Sequence, residues 1–150
     1  EDAVNAGADG VILPDLPPEE AGKFLGFANA KSLDTIFLLA PTSTPDRIQM
    51  VGEASKGFIY YVSLTGTTGT KEALAENLEE KVSAIKNEVK LPVLIGFGIS
   101  GPEQAKEAGQ CSDGVIIGSA IVKLIESHSD PVERDKKITK FISSIKTALN

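Results

Sequence analysis

The sequence contains no tryptophan, one cysteine, one histidine and one methionine in 150 residues. A lone Cys111 cannot close an intrachain disulfide, which suits a reducing compartment. With only His128 beside it, a zinc site built from several His and Cys ligands is not expected, and no metal is assigned. No apolar run approaches the roughly 20 residues needed to span a bilayer, and no leader pattern opens the chain. A cytoplasmic location is the expectation. Basic residues are outnumbered, 15 to 21, for a net charge of −6. That balance argues against nucleic acid or an anionic membrane as partner. It leaves room for a small anion, because backbone amides hold phosphate without basic side chains. Cys111 reads as a small, partly buried apolar residue, and His128, after a helix end, as solvated or a weak cap.

What is present is an ordinary globular composition, 41% hydrophobic and 24% charged, sized for one domain over residues 1–150. Apolar runs predict strands at Gly10–Pro14, Thr35–Leu39, Phe58–Val62, Val93–Gly96 and Gly114–Ile117. Between and after them, helices are expected at Pro18–Ser32, Pro45–Ser55, Ala75–Val89, Pro102–Ala108, Ser119–Ser127 and Pro131–Leu149. Strands alternating with helices imply parallel pairing through crossovers. Runs such as Val11-Ile12-Leu13 suit a sheet covered on both faces. Leu78, Val82, Ile85 and Val89 recur at helical spacing as one buried stripe, and Ile138, Phe141, Ile142 and Ile145 do so in the last helix.

A (β/α)8 barrel of about 250 residues gives about 30 per unit, so this chain holds about five units. The fold class expected is therefore α/β, an incomplete TIM barrel. A doubly wound open sheet is the alternative. It lacks support from a G-x-G-x-x-G after the first strand, and the candidate phosphate glycines come late in the chain.

Two segments repeat a theme: "EDAVNAGADGVIL" from Glu1 and "EQAKEAGQCSDGVII" from Glu103. Each reads as a helix tail, an Ala-Gly stop, then Asp-Gly leading into a strand. Gly7 and Gly109 are expected in the left-handed conformation that closes a helix, and Lys56-Gly57 repeats the turn. Ser100-Gly101-Pro102-Glu103 has capping-box spacing, with Ser100 as the expected cap. The first copy starts within a helix, without a cap or initiating Met, so a fragment lacking its amino-terminal units is expected.

Three strand ends carry unusual chemistry: Ser63 to Thr70 ("SLTGTTGT"), Gly96-Phe97-Gly98, and Gly118-Ser119. In a parallel barrel they converge on one rim. Glycine admits a ligand close to the backbone, and amides at a helix start face it. Each loop also reads as a plain turn, but together they point to a phosphorylated small molecule. In that picture the two glycines flanking Phe97 open room for the phosphate while Phe97 fills the barrel mouth.

The segments "GADGVILPDLPPEEA", "IFLLAPTS", "GFIYYVSLTGTTG", "LPVLIGFGISGPEQ" and "DGVIIGSAIVKLIE" resemble, in order, the α subunit of tryptophan synthase, strands four to eight of its barrel. That resemblance implies a lyase that cleaves indole-3-glycerol phosphate to indole and glyceraldehyde 3-phosphate by a retro-aldol reaction, in tryptophan biosynthesis. It implies no cofactor in this subunit. PLP belongs to a partner β subunit within an α2β2 heterotetramer. By motif matching, Thr68, Gly69, Gly98, Gly118 and Ser119 are the phosphate-binding candidates, Thr68 lying in the family's mobile loop. Tyr60 matches the tyrosine near the reacting centre, and Ile12 and Leu38 an apolar indole pocket. Ile12 and Leu38 read equally as core filling, and core packing is also a reading of Tyr60. The family's principal acids, a glutamate on the second strand and an aspartate just after it, match nothing in this chain, so the fragment alone is expected to be inactive.

Asp15, in "LPDLPPEE", is the acid nearest a strand end. It reads as a functional acid or as a structural acceptor for loop amides. Leu16-Pro17-Pro18 matches a rim that meets the β subunit, or an ordinary helix entry. Two other readings stand beside the lyase: a noncatalytic phosphate-binding partial barrel, and another TIM-barrel enzyme acting on a phosphorylated metabolite.

Overall fold

A computed structural model describes residues 1–63, 71–96 and 98–150, with the backbone alone for 71–77. The strands are β1 (Gly10–Ile12), β2 (Asp34–Ile36), β3 (Leu38–Leu39), β4 (Ile59–Val62), β5 (Val93–Gly96) and β6 (Gly114–Ile116). The helices are α1 (Asp2–Asn5), α2 (Gly22–Ala30), α3 (Pro45–Ala54), α4 (Lys71–Glu88), α5 (Pro102–Gly109), α6 (Ser119–Ser127) and α7 (Pro131–Leu149).

All pairings are parallel, and the strands neighbour one another in chain order, β1 with β2 and then β3-β4-β5-β6. A doubly wound sheet reverses its strand order at a switch point. This one does not. The arrangement is an arc of a (β/α) barrel. The expected second strand, Thr35–Leu39, is divided at Phe37: residues 34–36 pair back with β1 and residues 38–39 forward with β4. Neighbouring strands of a barrel are staggered along its axis, so one strand meets its two partners at different heights.

The two sheet faces differ. Leu39, Tyr61, Ile95 and Val115 lie in register across β3 to β6. The first three are fully buried in the main apolar cluster, and Val115 packs against it. Helices α3, α4, α5 and α7 supply its other wall through Val51, Val82, Ala105 and Ile145. Fully burying a valine such as Val82 or Val93 contributes about 1.5–3 kcal/mol. The opposite, concave face carries Leu38, Tyr60, Leu94 and Gly114 in register, all only half-buried.

Local signals explain most element ends. Thr44 caps α3 by accepting from the Arg47 amide at 3.4 Å, with Pro45 following. Asp130 caps α7 through the Glu133 amide at 2.8 Å, with Pro131 following. Gly7 and Gly57 adopt φ of +86° and +78°, the left-handed turns expected of them. His128 ends α6, with Nδ1 2.9 Å from the Leu124 carbonyl.

Four expectations are corrected. The helix expected from Pro18 begins at Gly22, because residues 17–21 form successive turns in which Glu20 and Ala21 donate to the carbonyls of Pro17 and Pro18. The Ser100 capping box is not formed. Pro102 occupies the first helical position, which makes Gly101 the cap, and no described side chain caps this helix. Gly109 is not left-handed but is the last residue of α5. A Cβ there would press on Leu149 of α7. Ile142 of α7, assigned to the buried stripe, is 43% exposed.

Candidate functional site

Because the sheet is parallel, the carboxyl ends of its strands share one rim. The last register pair of β5 and β6 is Gly96 with Ile116. Gly98 and Gly118 each lie two residues beyond that pair, on the segments that follow two adjacent strands. Gly98 has φ +79°, a backbone state that a side chain strains. Gly118 is the N-cap of α6, and its carbonyl accepts from the Ile121 and Val122 amides at 3.0 and 3.1 Å. The amides of Ser119 and Ala120 open the helix, where no intrahelical carbonyl lies behind them. Gly98, Gly118 and Ser119 are all exposed. The start of α6 therefore presents exposed amides with no partner among the described residues, a chemistry suited to an anion. Thr68 and Gly69 lie outside the described residues, as does Phe97.

Below the rim, Leu38 and Tyr60 pair across β3 and β4 on the concave face, and Leu94 continues the row. Ile12 pairs with Ile36 at the β1 side and is 44% exposed. The structure thus sets Tyr60, Leu38 and Ile12 on one apolar surface, with Tyr60 and Leu38 as direct neighbours. Gly96 faces it too: a Cβ there would run into the Tyr60 ring. This requirement for glycine was not legible as such. The reading of Gly96-Phe97-Gly98 assigned both glycines to ligand access, whereas Gly96 makes room for a tyrosine ring.

Ser63 was also missed as an individual residue. It is buried, and both its amide and its hydroxyl donate to the Gly96 carbonyl, at 3.1 and 3.3 Å. Asp15 is exposed, and no hydrogen bond from a described residue to its carboxylate is seen, so of its two readings the acceptor one gains no support. Its loop is held from the other end, where Glu19 grips the Arg47 guanidinium at 2.5 and 2.6 Å. The Glu19 carboxyl is held below its ordinary 4.5, first by its own backbone amide and then by Arg47. Leu16 is half-buried against the core.

At the opposite end of the strands, Asp113 ties three elements. Its Oδ2 accepts from the Val93 amide at 2.8 Å and its Oδ1 from Lys86 Nζ at 2.8 Å. Partial burial pushes this carboxyl up, but Lys86 and the Val93 amide outweigh that and hold it below its ordinary 3.8. Burial raises the Cys111 thiol, with the Glu79 charge adding to it, so the thiol stays protonated at neutral pH. Open depressions occur around Val132 and Lys136 on α7 and around Lys86, Lys90 and Pro92. Neither lies at the glycine rim. No described helix is long and apolar enough to cross a membrane.

The family model described as "Tryptophan synthase alpha chain" matches residues 1–150. The chain belongs to the tryptophan synthase alpha chain family. It is 48% identical over 148 residues to the tryptophan synthase alpha chain of Geotalea daltonii, covering 99% of this chain and 56% of that one. The corresponding protein of Pelobacter propionicus is 44% identical, with 99% and 55% covered. Among solved structures, Mycobacterium tuberculosis tryptophan synthase superposes with a TM-score of 0.82 at 36% identity, over 99% of this chain and 54% of that one. The alpha subunit from Legionella pneumophila gives 0.80 at 34%, over 98% and 54%. The chain spans about half the length of the curated relatives it matches. The barrel arc is therefore the tryptophan synthase alpha fold in part, as the ordered motifs implied.

Proposed function

We propose that this chain forms the phosphate-gripping and indole-facing part of an indole-3-glycerol phosphate lyase, the alpha component of tryptophan synthase. The observation that carries the reading is that Gly98 and Gly118-Ser119 follow the carboxyl ends of two adjacent parallel strands, β5 and β6, of the sheet whose concave face bears Leu38 and Tyr60. A phosphate at the amides of Ser119 and its neighbours leaves the indole to lie along Leu38, Tyr60 and Ile12. An anion at such a helix start gains about 0.3–1 kcal/mol from the dipole alone.

The retro-aldol step needs a proton delivered to the indole carbon while one leaves the glycerol hydroxyl, so that the carbon–carbon bond breaks to indole and glyceraldehyde 3-phosphate. A carboxyl group held near both does this, and a second accepts the indole N–H as that nitrogen becomes electron-poor. On the concave face of the described strands the only carboxylate position is Asp34, at the start of β2 and far from the rim. The reading therefore assigns those acids to the part of the relatives that this chain does not span. Tyr60 is auxiliary. The reaction draws on no cofactor in this subunit. PLP chemistry belongs to a β subunit that receives the indole, in an α2β2 assembly in the cytoplasm.

The test is indole release from indole-3-glycerol phosphate by the 150-residue chain and by a chimera that adds the amino-terminal part of the Geotalea daltonii relative. The chain alone is expected to be inert and the chimera active. Gly98→Val in the chimera is expected to raise KM while the barrel still folds. A folded chimera that neither binds nor cleaves the substrate overturns the reading. The absence of a rim carboxylate on the described strands also favours a second reading, a noncatalytic phosphate-binding arc. Turnover by the 150-residue chain alone would refute that one.

A further inference from the structure

We propose that Ser63 is a positioning residue for the phosphate rim, acting through the Gly96 carbonyl rather than touching the ligand; this rests on the phosphate-binding reading above. Ser63 is only 5% exposed, and a buried hydroxyl is costly unless it is hydrogen-bonded. Its one partner among the described residues is the Gly96 carbonyl at 3.3 Å, which already accepts the Ser63 amide at 3.1 Å. A carbonyl has two lone pairs and takes both bonds.

The place of this double bond gives it its role. Val62 and Gly96 are the last register pair of β4 and β5, so the Ser63 contacts extend the ladder one step past the paired strands. That step is where the chain leaves β5 toward Gly98 and its left-handed φ. Since a peptide unit is planar, fixing its carbonyl fixes the direction in which the chain departs. The Tyr60 ring closes off the Cα side of the same glycine. Gly96 is thereby held from two sides, by Tyr60 across its Cα and by Ser63 through its oxygen. A side chain that merely filled space here would need no hydroxyl. A preorganised rim binds more tightly because less ordering is left to the moment of binding.

The experiment is a titration of the 15N-labelled 150-residue chain with inorganic phosphate, following the Gly98, Gly118 and Ser119 amides. It is run on the unmodified protein and on Ser63→Ala, Ser63→Cys and Ser63→Thr, well below their melting midpoints. Ser63→Ala is expected to weaken phosphate binding roughly three- to ten-fold, the worth of one hydrogen bond. Ser63→Cys, which fills the site with a much weaker donor, is expected to do the same should the alanine variant fold poorly. Ser63→Thr keeps the hydroxyl and is expected to restore binding to within about two-fold. Lowered melting midpoints with unchanged phosphate affinity would overturn the positioning role and leave the phosphate site standing. Failure of the unmodified chain to shift those three amides would overturn the phosphate reading, and this proposal with it.

Discussion

The phenol ring of Tyr60 occupies the space in which any side chain at Gly96 would stand. The two residues lie on neighbouring strands, Tyr60 level with Leu94 and Gly96 one concave-face position further on. An added methyl therefore meets the outer atoms of a half-buried ring, which must swing aside. Gly96→Ala is expected to cost about 1–2 kcal/mol as a small overpacking. Combined with Tyr60→Leu, the two effects should fail to add, with a coupling of about 0.5–2 kcal/mol. Urea unfolding of the four chains measures it, and strict additivity would show that the ring does not set the glycine.

Two helical glycines allow a sharper contrast. At Gly52 in α3 a Cβ would strike the branched side chain of Val89, which is buried and stiff. At Gly109 the obstacle is the end of Leu149, a partly exposed side chain near the chain end. Alanine gains about 1 kcal/mol of helix propensity over glycine at interior helix positions. Gly52→Ala is expected to be net destabilising despite that gain, and Gly109→Ala to be within about 0.5 kcal/mol of neutral. Thermal melting of both variants decides it.

These glycines show where sequence reading stops. Gly7 and Gly57 were legible because a left-handed turn is a local demand, satisfied within a few residues. Gly109 was read in the same way from the same Ala-Gly pattern. Its actual constraint comes from Leu149, 40 positions later, and no local pattern carries that. Ser100 failed for the opposite reason: two local signals competed, and Pro102 at the first helical turn fixed the cap at Gly101. The barrel order, the parallel strands and the buried stripe of α4 were legible because periodicity and repetition are spread over many residues. The double bond from Ser63 to Gly96 was not, since strand register becomes known only once the sheet is assembled.

Asp113 makes a pH prediction. Its carboxyl is held below 3.8 in the folded chain, chiefly by Lys86 and the Val93 amide working against burial. A depressed carboxyl contributes stability above its unfolded pKa and loses it as pH falls through the folded value. The contribution is thus intact at pH 5–7 and fades in the acid range below about 4. Asp113→Asn removes the charge, so the stability gap between it and the unmodified chain should be constant from pH 7 to 5 and shrink on further acidification. Denaturant midpoints across that range test it. A gap that widens toward low pH would contradict the assignment. Asp113→Ala, which orphans the Val93 amide, is expected to cost about 1–3 kcal/mol at neutral pH.

The Glu19–Arg47 pair pins the Asp15 loop to the start of α3. Both side chains are partly exposed, so the bond fixes a loop more than it stabilises the fold. Arg47→Ala is expected to leave the melting midpoint nearly unchanged while the amides of residues 15, 16, 19 and 20 exchange faster. Because the Glu19 carboxyl is depressed by its own amide and by Arg47, acidification through its folded value, which lies below 4.5, should reproduce that loosening in the unmodified chain. Unchanged loop exchange in the variant would remove the pair from the account.

The central claim is that peptide amides on adjacent strand ends grasp a phosphate. It is tested most directly by titrating the 15N-labelled chain with indolepropanol phosphate, a stable relative of the proposed substrate. The account predicts saturable shifts of the Gly98, Gly118 and Ser119 amides at a common affinity, accompanied by Tyr60. Shifts centred instead on Lys86 and Lys90 at the opposite end of the strands, or no saturable response at the glycine rim, would contradict it.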